Sequence, residues 1–91
     1  MDTPDFSICQ RVLSSRWMLP ILAAAQTPMR FGSIQTRLNG LSRGVLAAQL
    51  QELQSMGLLS QRKYACFPPR VEYCITGKGR DLMDILSALP C

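Results

Sequence analysis

Apolar residues recur along this chain first at helical spacing and later at a period of two, and the change from one to the other orders its elements. Phe6, Cys9, Val12 and Leu13 share one stripe, with Ser7, Gln10 and Arg11 off it, which predicts a short helix over 6–13. Ser14 and Ser15 offer a stop and a new N-cap, after which Trp17, Leu19, Ile21, Leu22 and Ala25 carry a second helix. Pro20 has no amide to donate, so that helix starts a residue or two after Arg16 or bends in its first turn. Beyond a turn at Gln26, Thr27 and Pro28, the residues Phe31, Ile34 and Leu38 mark a third helix that Asn39-Gly40 closes. A fourth helix follows the N-cap Ser42, with Leu46, Leu50 and Leu53 at four- and three-residue steps, and ends at Gly57.

After Gly57 the period shortens. Leu58 to Tyr64 read as a strand, and Phe67 to Thr76 as its returning partner, with Val71, Tyr73 and Ile75 inward and Glu72, Cys74 and Thr76 facing the other way. Pro68 and Pro69 cannot donate ladder bonds, so they belong in the turn or at the strand entrance, where they stiffen a tip flanked by Arg62, Lys63 and Arg70. Thr76 then caps a last helix, whose stripe of Leu82, Met83, Ile85, Leu86 and Leu89 precedes Pro90. That stripe either closes the chain's own core or forms part of a dimer face. Helix, strand, basic turn and strand in this order predict an α+β, mainly α fold: a winged helix-turn-helix with a two-stranded wing and a C-terminal helix, residues 1–91 forming one domain.

Composition narrows the function. Ninety-one residues make a core that is marginal alone, so a partner chain is plausible. Ten Lys plus Arg against six Asp plus Glu give a net charge of +4, and eight of the ten cations are Arg, the side chain suited to phosphate and guanine; a polyanion is favoured as partner. Cys9, Cys66, Cys74 and Cys91 occur with no His and no CxxC clip, which argues against a metal site and points to free thiols in a reducing cytosol. The apolar run from Trp17 to Ala25 imitates a signal-peptide core and cleavage site, but Pro20 interrupts it and it fits a core helix equally well; no segment approaches a membrane span. With no His, no glycine-rich phosphate loop and scattered carboxylates, no catalytic residue or cofactor is expected; Asp81 and Asp84 are read as a solvated helix face.

The outward face of the fourth helix carries Arg43, Gly44, Ala47, Ala48, Gln51 and Ser55, a smaller and less charged set than an ordinary solvated face. Ala can touch a thymine methyl, Gln can pair with adenine, and Arg43 can reach a guanine or a phosphate. Candidate DNA contacts are therefore Ser42, Arg43, Ala47, Ala48 and Gln51 on this helix and Arg62, Lys63 and Arg70 on the hairpin. Candidate redox thiols are Cys9, Cys66 and Cys74; Cys66 stands near Lys63 and Arg62, whereas Cys9 lies on an apolar stripe.

Separated motifs in one order carry a family resemblance. Arg16-Trp17, Arg30-Phe31, Leu41-Ser42 with Leu46, Leu50 and Leu53, Gly57-Leu58, Tyr64, the string Pro68-Pro69-Arg70-Val71-Glu72-Tyr73, and Ile75-Thr76 with Gly79 and Leu82 resemble the HxlR-type (DUF24) winged-helix transcriptional regulators, from Val12 to Leu89. The resemblance implies a cytoplasmic homodimer that binds a palindromic double-stranded DNA operator through recognition helix and wing, with the first and last helices forming the dimer. It implies no membrane partner. The family's redox-active Cys falls near Pro4 rather than at Cys9, Gly44, Ala47 and Ala48 are small where many members carry longer polar side chains, and the chain stops at Cys91, where members usually continue the last helix. The plain recognition face and short C-terminus motivate an alternative: a winged helix that binds protein without sequence-specific DNA binding.

Overall fold

Hydroxyl side chains cap the helices that follow Ser42 and Thr76, as the sequence marks them, in the computed structural model, which describes residues 6–88; the helix after Ser15 has Trp17 as its N-cap, and Ser15 braces that start from two residues upstream. The elements are α1 (Phe6–Ser14), α2 (Met18–Ala24), β1 (Met29–Arg30), α3 (Phe31–Arg37), α4 (Arg43–Ser55), β2 (Leu59–Tyr64), β3 (Arg70–Ile75) and α5 (Gly77–Ser87). Ser15 Oγ accepts from the amides of Trp17 and Met18, Ser42 Oγ from Val45, and Thr76 Oγ1 from Gly79. Pro20 is the third residue of α2, where no intrahelical acceptor awaits its amide, so the helix runs unbroken. Gly57 closes α4 at φ +77° just past its C-cap Met56, and Gly40, two residues past the C-cap Leu38 of α3, turns the chain toward α4 at φ +92°; both lie in the left-handed region that a side chain disfavours.

The core is built from one stripe of each helix and the inner face of the sheet. Val12, Met18, Ile21, Leu22, Ile34, Leu46, Leu50, Leu53, Leu58 and Leu82 are fully buried. The segment that imitates a signal peptide is thus central to the core: of Trp17 to Ala25, only Ala23 is exposed. Among the described residues no helix is long and apolar enough to cross a membrane.

The expected two-stranded hairpin is present with one further strand added to it, and two other expectations need correction. The sheet has three antiparallel strands in the order β1-β3-β2, because Met29 pairs with Tyr73 and Arg30 with Glu72 beside the expected hairpin. Two residues are too few to show a period, and only the facing strand makes them a strand. Flanked on both sides, β3 loses the simple alternation: Val71 to Cys74 are all half-buried and only Ile75 is buried. The stripe of α1 is also only partly covered, since Val12 is buried while Phe6 is 78% and Leu13 54% exposed. Ile8 and Cys9 join Val12 against the core instead, because spacing defines a stripe but the neighbouring helices decide how much of it is covered. On α5, Leu82 is buried and Met83 and Leu86 pack at the core edge; Leu89, Pro90 and Cys91 lie outside the described residues, as does Pro4.

Candidate nucleic-acid interface

Helix α4 turns Leu46, Leu50 and Leu53 into the core and leaves Arg43, Gly44, Ala47, Ala48, Gln51 and Ser55 exposed along its opposite side. Nothing lies within 4 Å of where a Gly44 side chain would begin, so this face is open to a close-approaching partner. Its geometry is held from both flanks. Toward α3, the Arg43 guanidinium lies over the Phe31 ring at 4.8 Å, and Gln35 Nε2 donates to the Leu41 carbonyl at 3.3 Å across the Gly40 turn. Toward α1, Arg11 grips Glu52 with two hydrogen bonds, Nε to Oε2 at 2.5 Å and a terminal nitrogen to Oε1 at 2.7 Å, and Ser15 Oγ donates to Gln49 Oε1 at 3.1 Å. The Glu52 carboxylate raises the Arg11 pKa further above its ordinary value, chiefly through that hydrogen bonding. The α3–α4 pair therefore has the form of a helix-turn-helix whose second helix offers an unencumbered side.

The hairpin divides its cations between two faces. Directly paired residues of neighbouring strands point to the same side, so Arg62, opposite Glu72, and Arg70, opposite Tyr64, share one face, while Lys63, opposite Val71, takes the other. Arg62 and Lys63 are exposed. Arg70 is engaged: its guanidinium lies over the Tyr64 ring at 4.6 Å and its Nε is 3.7 Å from Glu72 Oε2. Pro68 and Pro69 lie in the connection between the strands, as their missing amides require. The Cys66 thiol is exposed there and donates to the Pro68 carbonyl at 3.3 Å; Cys74 is half-buried on the sheet, and Cys9 half-buried against the core.

Further candidates emerge that the sequence reading did not name. Arg30, Ser33, Thr36 and Arg37 line an open groove of about 800 Å³ beside α3, with Met29 and Gly32. A signal for them exists in the sequence, since no acidic residue occurs between Asp5 and Glu52 while Arg11, Arg16, Arg30, Arg37 and Arg43 do. Phe67, at the wing tip, is 97% exposed, an aromatic side chain with nothing of its own chain to cover it. Among the described residues no group of His, Cys, Asp and Glu could hold a metal ion.

A family model described as HxlR-like helix-turn-helix matches residues 12–90. The chain belongs to that family. It is 36% identical over 78 residues to an uncharacterised HTH-type transcriptional regulator of Methanothermobacter thermautotrophicus, a match that covers 85% of this chain and spans 60% of the length of that relative. Among solved structures, a transcriptional regulator of the MarR family from Enterococcus faecalis V583 superposes with a TM-score of 0.85 at 30% identity, covering 90% of this chain and 76% of that one. A redox regulator, HypR, in its oxidised form superposes with a TM-score of 0.77 at 26% identity, covering 88% and 84%. The HxlR-like chain thus has the winged-helix fold of a helix-turn-helix family, and the relatives it matches are named as transcriptional regulators.

Proposed function

We propose that this chain, acting as one domain, regulates transcription by binding a palindromic operator as a homodimer, α4 in the major groove and the hairpin against the flanking backbone. The observation that carries this is the split of α4, with three leucines anchored in the core and a small, nearly uncharged face left open. A face of Ala47, Ala48 and Gln51 reads thymine methyls and adenine edges, and Arg43 reads guanine or phosphate. Ser42, Arg62, Lys63 and Arg70 supply backbone contacts, half-sites being spaced about one helical turn apart. Selecting bound duplexes from a random pool tests this. An inverted repeat with such spacing is expected; enrichment of no sequence, with binding of a protein partner that salt does not weaken, overturns it.

For the dimer, the supporting surface lies on the first and last helices. Phe6, Leu13 and Ile85 are exposed apolar side chains there, and Leu19, Pro20, Ala23, Met83 and Leu86 line an apolar groove of about 400 Å³ between α2 and α5. Such surface is what a second copy would cover. Sedimentation of the full chain across a concentration series is expected to give a dimer; a monomer throughout removes the palindrome.

Redox control has its best support at Cys66, exposed in the wing three and four residues after Lys63 and Arg62 in sequence, with the redox regulator HypR among the structural neighbours. A peroxide would convert the thiol to sulfenic acid with release of water, placing a polar group in the connection that carries the wing cations. Cys74, half-buried, and Cys9, packed on the core, are less accessible. Operator binding measured before and after mild peroxide, in wild type and Cys66→Ser, decides. Equal responses of the two proteins remove Cys66 from the mechanism.

A further inference from the structure

From Leu53 to Arg80 the chain has one acidic residue, Glu72, and the fold places it at the centre of the sheet's outer face. Glu72 is the direct partner of Arg62 on β2 and of Arg30 on β1. Side chains paired in this way rise from the same face with their Cβ atoms roughly 5 Å apart, so Glu72 is flanked across both neighbouring strands by an exposed arginine, though neither Arg30 nor Arg62 forms an ion pair with it. A third cation comes from its own strand: Arg70 Nε is 3.7 Å from Glu72 Oε2. The Tyr64 hydroxyl donates to Glu72 Oε1 at 3.0 Å, and Arg70 lies across the Tyr64 ring, so the carboxylate and the guanidinium are held against one another from both sides. Yet the pair is incomplete. Arg70 Nε is buried without a hydrogen-bond partner, and 3.7 Å is an ion-pair distance too long for a hydrogen bond.

We propose that Glu72 is an internal stand-in for a DNA phosphate, one that limits the sequence-independent affinity of the wing. Carboxylate and phosphate compete for the same guanidinium fork. In the free protein Glu72 holds Arg70 and, as the one acidic residue paired with Arg30 and Arg62 in the sheet, offsets part of their field. A duplex that draws Arg70 away leaves Glu72 to recruit a cation from solution, which cancels part of the counterion release that drives phosphate binding. Weak attachment to arbitrary sequence leaves the base contacts of α4 to decide where the protein rests.

The inference rests on the DNA-binding reading above, and a random-sequence 30-bp duplex, titrated across a salt series, separates the two. Glu72→Gln is expected to bind that duplex about three- to tenfold more tightly than wild type at low salt, with a salt slope steeper by up to about one unit. Glu72→Asp, which keeps the charge, is expected to behave as wild type. In an Arg70→Ala background the gain from Glu72→Gln is expected to shrink, since the freed cation is no longer there. Thermal unfolding checks each protein; Glu72→Thr, neutral and favourable in strands, replaces Glu72→Gln should that variant unfold. A Glu72→Gln protein that binds no more tightly than wild type, or a gain undiminished without Arg70, overturns the inference while leaving DNA binding intact. A wild-type chain that binds no duplex at low salt overturns both.

Discussion

Arg43 and Phe31 are the first residues of α4 and α3, and the guanidinium of one lies over the ring of the other at 4.8 Å. The contact fixes the side chain that opens α4 to the helix that precedes it, and so sets where Arg43 can reach. An exposed cation over an aromatic ring is stabilised by about 0.5–1 kcal/mol.

Losing that orientation has a measurable size. Phe31→Leu keeps an apolar side chain at the core edge but removes the ring, and operator affinity is expected to fall about two- to fivefold. Phe31→Tyr is expected to restore it. The comparison is made by titration of one duplex, with thermal unfolding of each variant alongside, because Phe31 also packs against the core. Equal affinity for the Leu and Tyr variants would detach Phe31 from the function of Arg43.

The cap on the recognition helix is a stability element as well as a candidate phosphate contact. Ser42 Oγ accepts from the Val45 amide at 3.2 Å. Ser42→Ala is expected to destabilise the fold by about 1 kcal/mol, seen as a lower urea midpoint with an unchanged slope. Ser42→Asp is expected to recover stability, but its charge would weaken binding to a phosphate backbone.

Gly79 has no room for a methyl group. A Cβ there would collide with the Leu58 carbonyl oxygen and with Ile75 Cγ1, in the corner where α5 packs against the end of β3. Thr76 fixes this corner by donating its hydroxyl to the Gly57 carbonyl at 2.6 Å while capping Gly79. Gly79→Ala is expected to cost about 1–3 kcal/mol in urea unfolding, in spite of alanine's better helix propensity. Gly77→Ala, with open space around it, is the control and is expected to be near neutral or stabilising.

Arg70→Ala bears on the wing. If Arg70 leaves Glu72 for a phosphate in the complex, its removal lowers affinity for all sequences alike and flattens the salt slope by up to roughly one unit. An unchanged slope would take Arg70 off the list of phosphate contacts. The same substitution in Lys63, on the opposite face of the hairpin, tests the contact expected from that side in the same way.

What the sequence by itself determined is local. Ser42 and Thr76 cap, Gly40 and Gly57 terminate, and the leucines of α4 share one side, because each of these depends on residues within a turn or two. Together with the motif order they were enough to place α4 and the hairpin and to name the family. Tertiary structure alone decided what joins segments far apart in sequence. It made Met29–Arg30 a strand, tied Arg11 to Glu52, 41 residues away, and left Phe6 and Leu13 uncovered where their stripe suggested burial. It also set one carboxylate among three arginines drawn from three strands. The reason is physical: periodicity reports which side chains share a face of one element, whereas strand register and helix docking, set by the whole core, decide which faces meet.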